Sequence, residues 1–160
     1  VWPRRQGDGN DVDLPLRRAR TLFSPTERSA LGLLEQAVGA KYRIFGKVRI
    51  ADVVRPDASA EPALRHRAWQ RLRSRHFDFV LCRPDDLAVI CAVEVDAGRR
   101  ASAADIRHAE FVDAVCRAAG LPLMHLPDHE RCSVTELRHQ LARATAPGGS
   151  DGETEASDRD

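Results

Sequence analysis

Three carboxylates stand where a strand-forming sequence has no ordinary use for them. Asp78 interrupts the apolar run His76-Phe77-Asp78-Phe79-Val80-Leu81-Cys82, and Glu94 and Asp96 close the run Ala92-Val93-Glu94-Val95-Asp96. An unpaired charge inside an apolar strand costs several kcal/mol or is given up by protonation. Strand side chains alternate between faces, so Glu94 and Asp96 point the same way. Arg83-Pro84-Asp85-Asp86 reads as a turn, with Asp85 and Asp86 as turn formers, and the return strand spans residues 87–96. With Asp78 facing Ala92, all three acids gather on one face. Carboxylates so gathered suit Mg²⁺, a hard cation that takes oxygen ligands and keeps several waters. Such an ion polarises a phosphoryl oxygen and turns bound water into a hydroxide nucleophile. The competing reading is a structural network in which arginines cap the strand ends.

Other chemistry-bearing residues also carry two readings each. Glu27 lies three residues after Ser24 in Ser24-Pro25-Thr26-Glu27, where it serves a capping box or adds an acid to the site. Lys47 is one of only two lysines among 25 Lys and Arg residues, the other being Lys41. It is either a solvated strand residue or a charge that acts on substrate. Arg65, Arg67, Arg71, Arg73 and Arg75 crowd one helix candidate together with Trp69. That set is either a solvated face or a surface that neutralises phosphates and stacks a base. The six histidines are scattered along the sequence, which argues against zinc. His125 and His129 fall on the last strand and its exit, and Glu110 and Asp113 fall on the polar side of a helix.

The elements that must position these residues follow from periodicity. A helix starts at the Ser24 cap, carries Leu31, Leu34 and Val38 at helical spacing, and ends at Gly39. Residues 42–50 alternate as a strand through Tyr42, Ile44, Gly46, Val48 and Ile50, and residues 52–62 form a loop. The basic helix spans residues 61–75, with Leu64, Ala68, Trp69 and Leu72 on its apolar side. After the hairpin and a small polar loop at 97–102, a helix over 103–119 is built on Ile106, Phe111, Val115 and Ala118 and closed by Gly120. A buried strand over 121–126 and a helix opened by the capping box Ser133-Val134-Thr135-Glu136 complete the order. Strands 76–82 and 87–96 must be antiparallel, because a short turn joins them. The last two strands are joined through a helix and should be parallel. The fold class is α/β, a mixed sheet of about four strands flanked by helices.

Length and composition bound the rest. The 160 residues make one domain, with 42% hydrophobic and 31% charged residues. Residues 1–22 read as a flexible arm, 23–144 as the domain and 145–160 as a disordered acidic tail. The last ten residues hold five acids and one arginine, so the net charge of +1 hides a basic remainder. No apolar run approaches the roughly 18 residues that span a bilayer, although a chain starting at Val1 leaves room for a preceding segment, a membrane anchor included. Cys82, Cys91, Cys116 and Cys132 lack CxxC spacing and read mainly as buried thiols of a reducing, cytoplasmic compartment. No nucleotide-binding loop or organic-cofactor motif stands out.

The element order, the strand 76–82 and the Val93-Glu94-Val95-Asp96 strand resemble the restriction-endonuclease-like PD-(D/E)XK nuclease superfamily. More narrowly, Ser24-Pro25-Thr26-Glu27-Arg28, Phe45-Gly46-Lys47-Val48-Arg49, His76 to Cys82 and Ala119-Gly120-Leu121-Pro122-Leu123 look like a bacterial family known as domain of unknown function 2726. The resemblance covers about residues 22–142. It implies an αβββαβ core and Mg²⁺-dependent hydrolysis of phosphodiesters, with DNA the favoured substrate. Asp78 would match the first metal-binding Asp and Glu94 the acid of the triplet, while Asp96 occupies the place of the triplet's Lys. Lys47 would be the migrated lysine, and Glu27 would match an additional helix acid. Relatives with a Glu-x-Asp triplet tend to carry a His several residues on. Arg99 and Arg100 stand near that place here and join the basic set, and His108, one turn into the next helix, is the nearby substitute. The alternative to a nuclease is a non-catalytic nucleic-acid-binding or protein-interaction module on the same fold.

Overall fold

The computed structural model describes residues 15–96, 101–127 and 132–146. Arg99, Arg100 and His129, most of the N-terminal arm and nearly all of the acidic tail lie outside them. Helix α1 spans Pro25–Val38, β1 Arg43–Arg49, α2 Ile50–Val53, α3 Pro62–Leu72, β2 His76–Cys82 and β3 Val89–Val95. Helix α4 spans Ala103–Ala119, β4 Leu123–Leu126 and α5 Val134–Ala144. The strands form one open mixed sheet in the order β1-β2-β3-β4. Pairings β1/β2 and β2/β3 are antiparallel and β3/β4 is parallel, as the connections require.

Local chemistry explains most boundaries. Ser24 caps α1 by accepting from the Glu27 amide, Glu27 returns the bond to the Ser24 amide, and Pro25 opens the first turn. Ser102 and Asp105 build the same box at α4, whose end is Gly120 in the left-handed region at φ 62°. Ser133 caps α5 by accepting from the Glu136 amide. Arg138 of α5 donates to the carbonyls of Gln36 and Ala37, which satisfies the open C-terminal end of α1.

The sheet separates two apolar layers. On one face Phe79, Leu81, Cys91 and Val93 pack with Leu34 and Val38 of α1 and Leu137 and Leu141 of α5. On the other, Val80, Cys82 and Ala92 pack with Val112 and Cys116 of α4, with Ile50 and Ala51 of α2 and with Leu72 of α3. Fully burying side chains of this size stabilises the fold by about 1.5–3 kcal/mol each. All four cysteines are buried free thiols, and burial pushes Cys91 and Cys116 up to about 12. They are packing residues rather than nucleophiles.

Several expectations are corrected. Ile50 does not end a strand but opens the short helix α2. The basic helix stops at Leu72, and β3 covers Val89–Val95 rather than residues 87–96. Ile106 of α4 is 52% exposed, and the helix turns Val112 and Cys116 inward instead. Asp113, expected at the surface, is half-buried and bonded to His125. The β2/β3 register pairs Val80 with Ala92 and Phe79 with Val93, so Asp78 stands across from Glu94, two residues from the expected partner. An even shift preserves the face, and for that reason the shared face of Asp78 and Glu94 survives the wrong register. The regular alternation expected for β1 also fails. Ile44 packs on the α1 side and Val48 on the α4 side, and between them Lys47 has φ 51°, a left-handed conformation that reverses the sequence of faces.

Gly46, just before that reversal, is required by a close approach. A methyl group there would collide with the ring of Phe23, which is itself stacked on Phe79 with centroids 5.3 Å apart. Gly46→Ala is expected to cost about 1–3 kcal/mol, or roughly 5–10 °C in Tm. Thermal melts of Gly46→Ala, Phe23→Leu and the double variant check this. The double variant should recover part of the sum of the two losses; strictly additive losses would refute the collision.

Candidate active site

Strands β2 and β3 part at the Asp78–Glu94 row, and the two carboxylates take over the hydrogen bonding. Glu94 Oε1 accepts from the Asp78 amide at 3.2 Å, and Asp78 Oδ2 accepts from the Val95 amide at 2.9 Å. Each acid thereby completes the backbone of the strand opposite. Glu94 is the one buried charged residue among those described, 6% exposed. Its Oε2 lies 3.3 Å from His108 Nε2 on α4. Burial, then the adjacent charge of Asp78, pushes the Glu94 carboxyl up to about 8; Asp113 adds to the rise, against the lowering effect of the Asp78 amide. Burial and the nearby Arg75 charge hold His108 below the ordinary imidazole value, against the pull of Asp78. Both shifts favour the uncharged forms, a carboxylic acid beside a neutral imidazole.

A second cluster lies beside the first on the α4 face. His125 stands opposite Glu94 in the β3/β4 register. Its Nε2 is 2.9 Å from Asp113 Oδ1, and its Nδ1 is 3.5 Å from Asp96 Oδ1. Asp96 is thus engaged by His125, while Asp78 and Glu94 engage each other. The rings of His76 and His108 are 6.4 Å apart.

Lys47 and Glu27 form a separate pair on the α1 side. Lys47 Nζ lies 2.5 Å from Glu27 Oε1 and 5.6 Å from the Phe23 centroid. The bonds from Lys47 and Ser24 hold the Glu27 carboxyl below its ordinary value, although partial burial acts in the opposite direction. Glu27 therefore fills its expected position as the capping-box acid, and it is also the partner of the strand lysine, a pairing the sequence did not suggest. In the register of β1 with β2, Lys47 falls across from Asp78, yet its positive φ is accompanied by a side chain that reaches Glu27.

The expected basic surface of α3 is divided. Arg71 and Arg75 place their guanidinium groups 5.0 and 4.2 Å from the Phe111 centroid on α4, a cation–π clamp between the helices. Arg65 donates to the Ala58 carbonyl. Arg67, Trp69 and Arg73 are exposed. The sequence reading named His108 only as a substitute and did not connect His125 with Asp113; both follow from the α4 face that Val112 and Cys116 define. Among the described residues, no group of three or more His, Cys, Asp or Glu side chains is arranged to hold a metal ion. Two carboxylates remain a sufficient protein contribution for Mg²⁺, which keeps waters and takes substrate phosphate oxygens as further ligands.

The raised Glu94 value fixes the sign of a pH effect. Between the ordinary carboxylate range and about pH 8, an unfolded chain ionises Glu94 while the folded chain keeps it protonated. Stability then declines as pH rises through that window and levels off above it. Glu94→Gln keeps an oxygen to accept the Asp78 amide and removes the decline. Melts in a chelating buffer from pH 5 to 9 should show the variant gaining on the parent by on the order of 3 kcal/mol, with most of the gain below about pH 8. Parallel curves would mean that Glu94 ionises freely.

Among the described residues, no helix is long and apolar enough to cross a membrane. No curated protein and no solved structure matches the chain. The family described as Protein of unknown function (DUF2726) matches residues 19–145, so the chain belongs to that family.

Proposed function

We propose that this chain is a divalent-metal-dependent nuclease domain of the PD-(D/E)XK type, acting on DNA. The carrying observation is the buried Glu94 placed against Asp78 at the point where β2 and β3 part, with amides and His108 as its partners rather than a lysine or arginine. Two acids so close repel one another when ionised, and a divalent cation would supply the missing positive charge. The chemistry of the donors fits Mg²⁺, because both are hard carboxylate oxygens. Asp78 and Glu94 would hold the ion, which when bound polarises a phosphoryl oxygen and acidifies water. The amides of Asp78 and Val95 fix the direction of both carboxylates. His108 then sits beside the site, its Nε2 3.3 Å from Glu94 Oε2, placed to accept a proton from attacking water. The four-stranded mixed sheet, with α1 on one face and α4 on the other, is compatible with a restriction-endonuclease-like core.

Cleavage of plasmid and oligonucleotide DNA in Mg²⁺ or Mn²⁺ tests this directly. Asp78→Asn and Glu94→Gln should each lower the rate by a factor of at least about 100 while remaining folded. Metal binding has its own readout, since a ligand of the folded state at about 100 times its Kd adds about 2.7 kcal/mol, or roughly 10 °C in Tm. The gain should vanish in both variants. Cleavage that survives both substitutions, or a melting temperature indifferent to metal, overturns the reading and leaves a non-catalytic module.

A further inference from the structure

We infer that the cleft between α2 and α3 is a binding site for single-stranded nucleic acid, with one base stacked on Trp69 and an adjoining phosphate held by Arg55 and Arg65. This deepens the nucleic-acid half of the proposed function and rests on that half alone, since no metal enters it. The cleft is about 610 Å³ and open to solvent, lined among others by Ala51, Arg55, Pro56, Arg65, His66 and Trp69. That volume accommodates a nucleotide, and an open mouth lets a chain continue in both directions.

The lining has the chemistry of such a ligand. Trp69 is 38% exposed, a large aromatic surface left partly in water. His66 lies three residues before Trp69 and shares its side of α3. Arg55 is exposed, and Arg65 uses one N–H on the Ala58 carbonyl, which steadies its guanidinium and leaves further donors. The single acid of the lining, Asp52, is held by Arg49 in a two-point contact at 2.6 and 3.1 Å. The cleft therefore presents Arg55 and Arg65 beside an aromatic face, with Asp52 bonded to Arg49 although it also feels the Arg55 charge. A groove that combines cations with a stacking platform is how single strands are bound without reading sequence. Duplex DNA keeps its bases stacked within the helix and offers Trp69 none. On the other flank of α3, Arg71, joined by Arg75 just beyond the helix, is committed to Phe111, so this segment divides its arginines between a structural clamp and the cleft.

Fluorescence anisotropy in EDTA, with a labelled 12-residue oligothymidylate and a duplex of the same length, tests the assignment on the whole chain. The oligothymidylate should bind more tightly than the duplex. Trp69→Ala should weaken it by about tenfold or more, while Trp69→Phe retains most of the affinity. Arg55→Gln and Arg65→Gln should each reduce the salt dependence of binding by about one phosphate contact. No binding by the parent chain, unchanged affinity in Trp69→Ala, or an equal Trp69 dependence for duplex would each overturn the assignment. Trp69-dependent binding without metal-dependent cleavage sinks the nuclease reading and leaves the cleft standing; the converse pattern sinks the cleft alone.

Discussion

The parting of β2 and β3 at Asp78 and Glu94 is the constraint on which the remaining architecture turns. A ladder that ended there with open amides would leave donors unpaired next to a buried layer, at about 1–3 kcal/mol each. The side chains solve this in a crossed manner, since Glu94 satisfies the Asp78 amide and Asp78 satisfies the Val95 amide. Removing Glu94 therefore orphans the Asp78 amide, and removing Asp78 orphans the Val95 amide. The same crossing brings two carboxylates together where Glu94 is buried and Asp78 is half-buried. Position and electrostatic tension are two results of one hydrogen-bond exchange.

The surrounding elements are arranged to tolerate that tension. Helix α4 meets Glu94 with a histidine, His108, whose Nε2 lies 3.3 Å from the carboxylate and which carries no permanent charge. A fixed arginine in its place would hold Glu94 ionised permanently. The fixed charges stand one step back: Arg75 is drawn to Phe111, and Lys47 is turned to Glu27 by a left-handed backbone that an L-residue adopts only at a cost. Asp113 adds negative charge near Glu94, and His125 bridges that acid to Asp96. The α4 face is thus a graded row in which histidines separate carboxylates.

The legible part of the site in the sequence was the part governed by parity. Alternation placed Asp78 and Glu94 on one face in any register an even number of residues from the expected one, and the capping box placed Glu27 at the start of α1. Periodicity also located eight of the nine elements, because amphipathic helices and alternating strands carry their own signal. It missed α2, a single turn too short to show a period. It also misassigned the buried face of α4, where Ile106 outweighs Cys116 as an apolar residue in sequence but not in the packed layer. That error hid Asp113 and its bond to His125. The reversal at Lys47 was illegible for a different reason: nothing in Phe45-Gly46-Lys47-Val48 distinguishes a lysine with φ 51° from one in a regular strand until Phe23 is seen packed against Gly46.

Asp96 shows how the triplet pattern misleads when it is read as a ligand list. By alternation it belongs with Glu94, and a three-acid site would follow. Beyond Val93, however, β3 leaves the β2 ladder and keeps β4, whose His125 stands opposite Glu94 and reaches Asp96. Ending one pairing while continuing the other turns the third acid toward β4 and away from the pair. A site with two carboxylates is the geometric consequence. Under the proposed reading it is also the better arrangement, because a third buried negative charge would raise Glu94 further, while Mg²⁺ needs open positions for water and phosphate rather than a closed cage of protein oxygens.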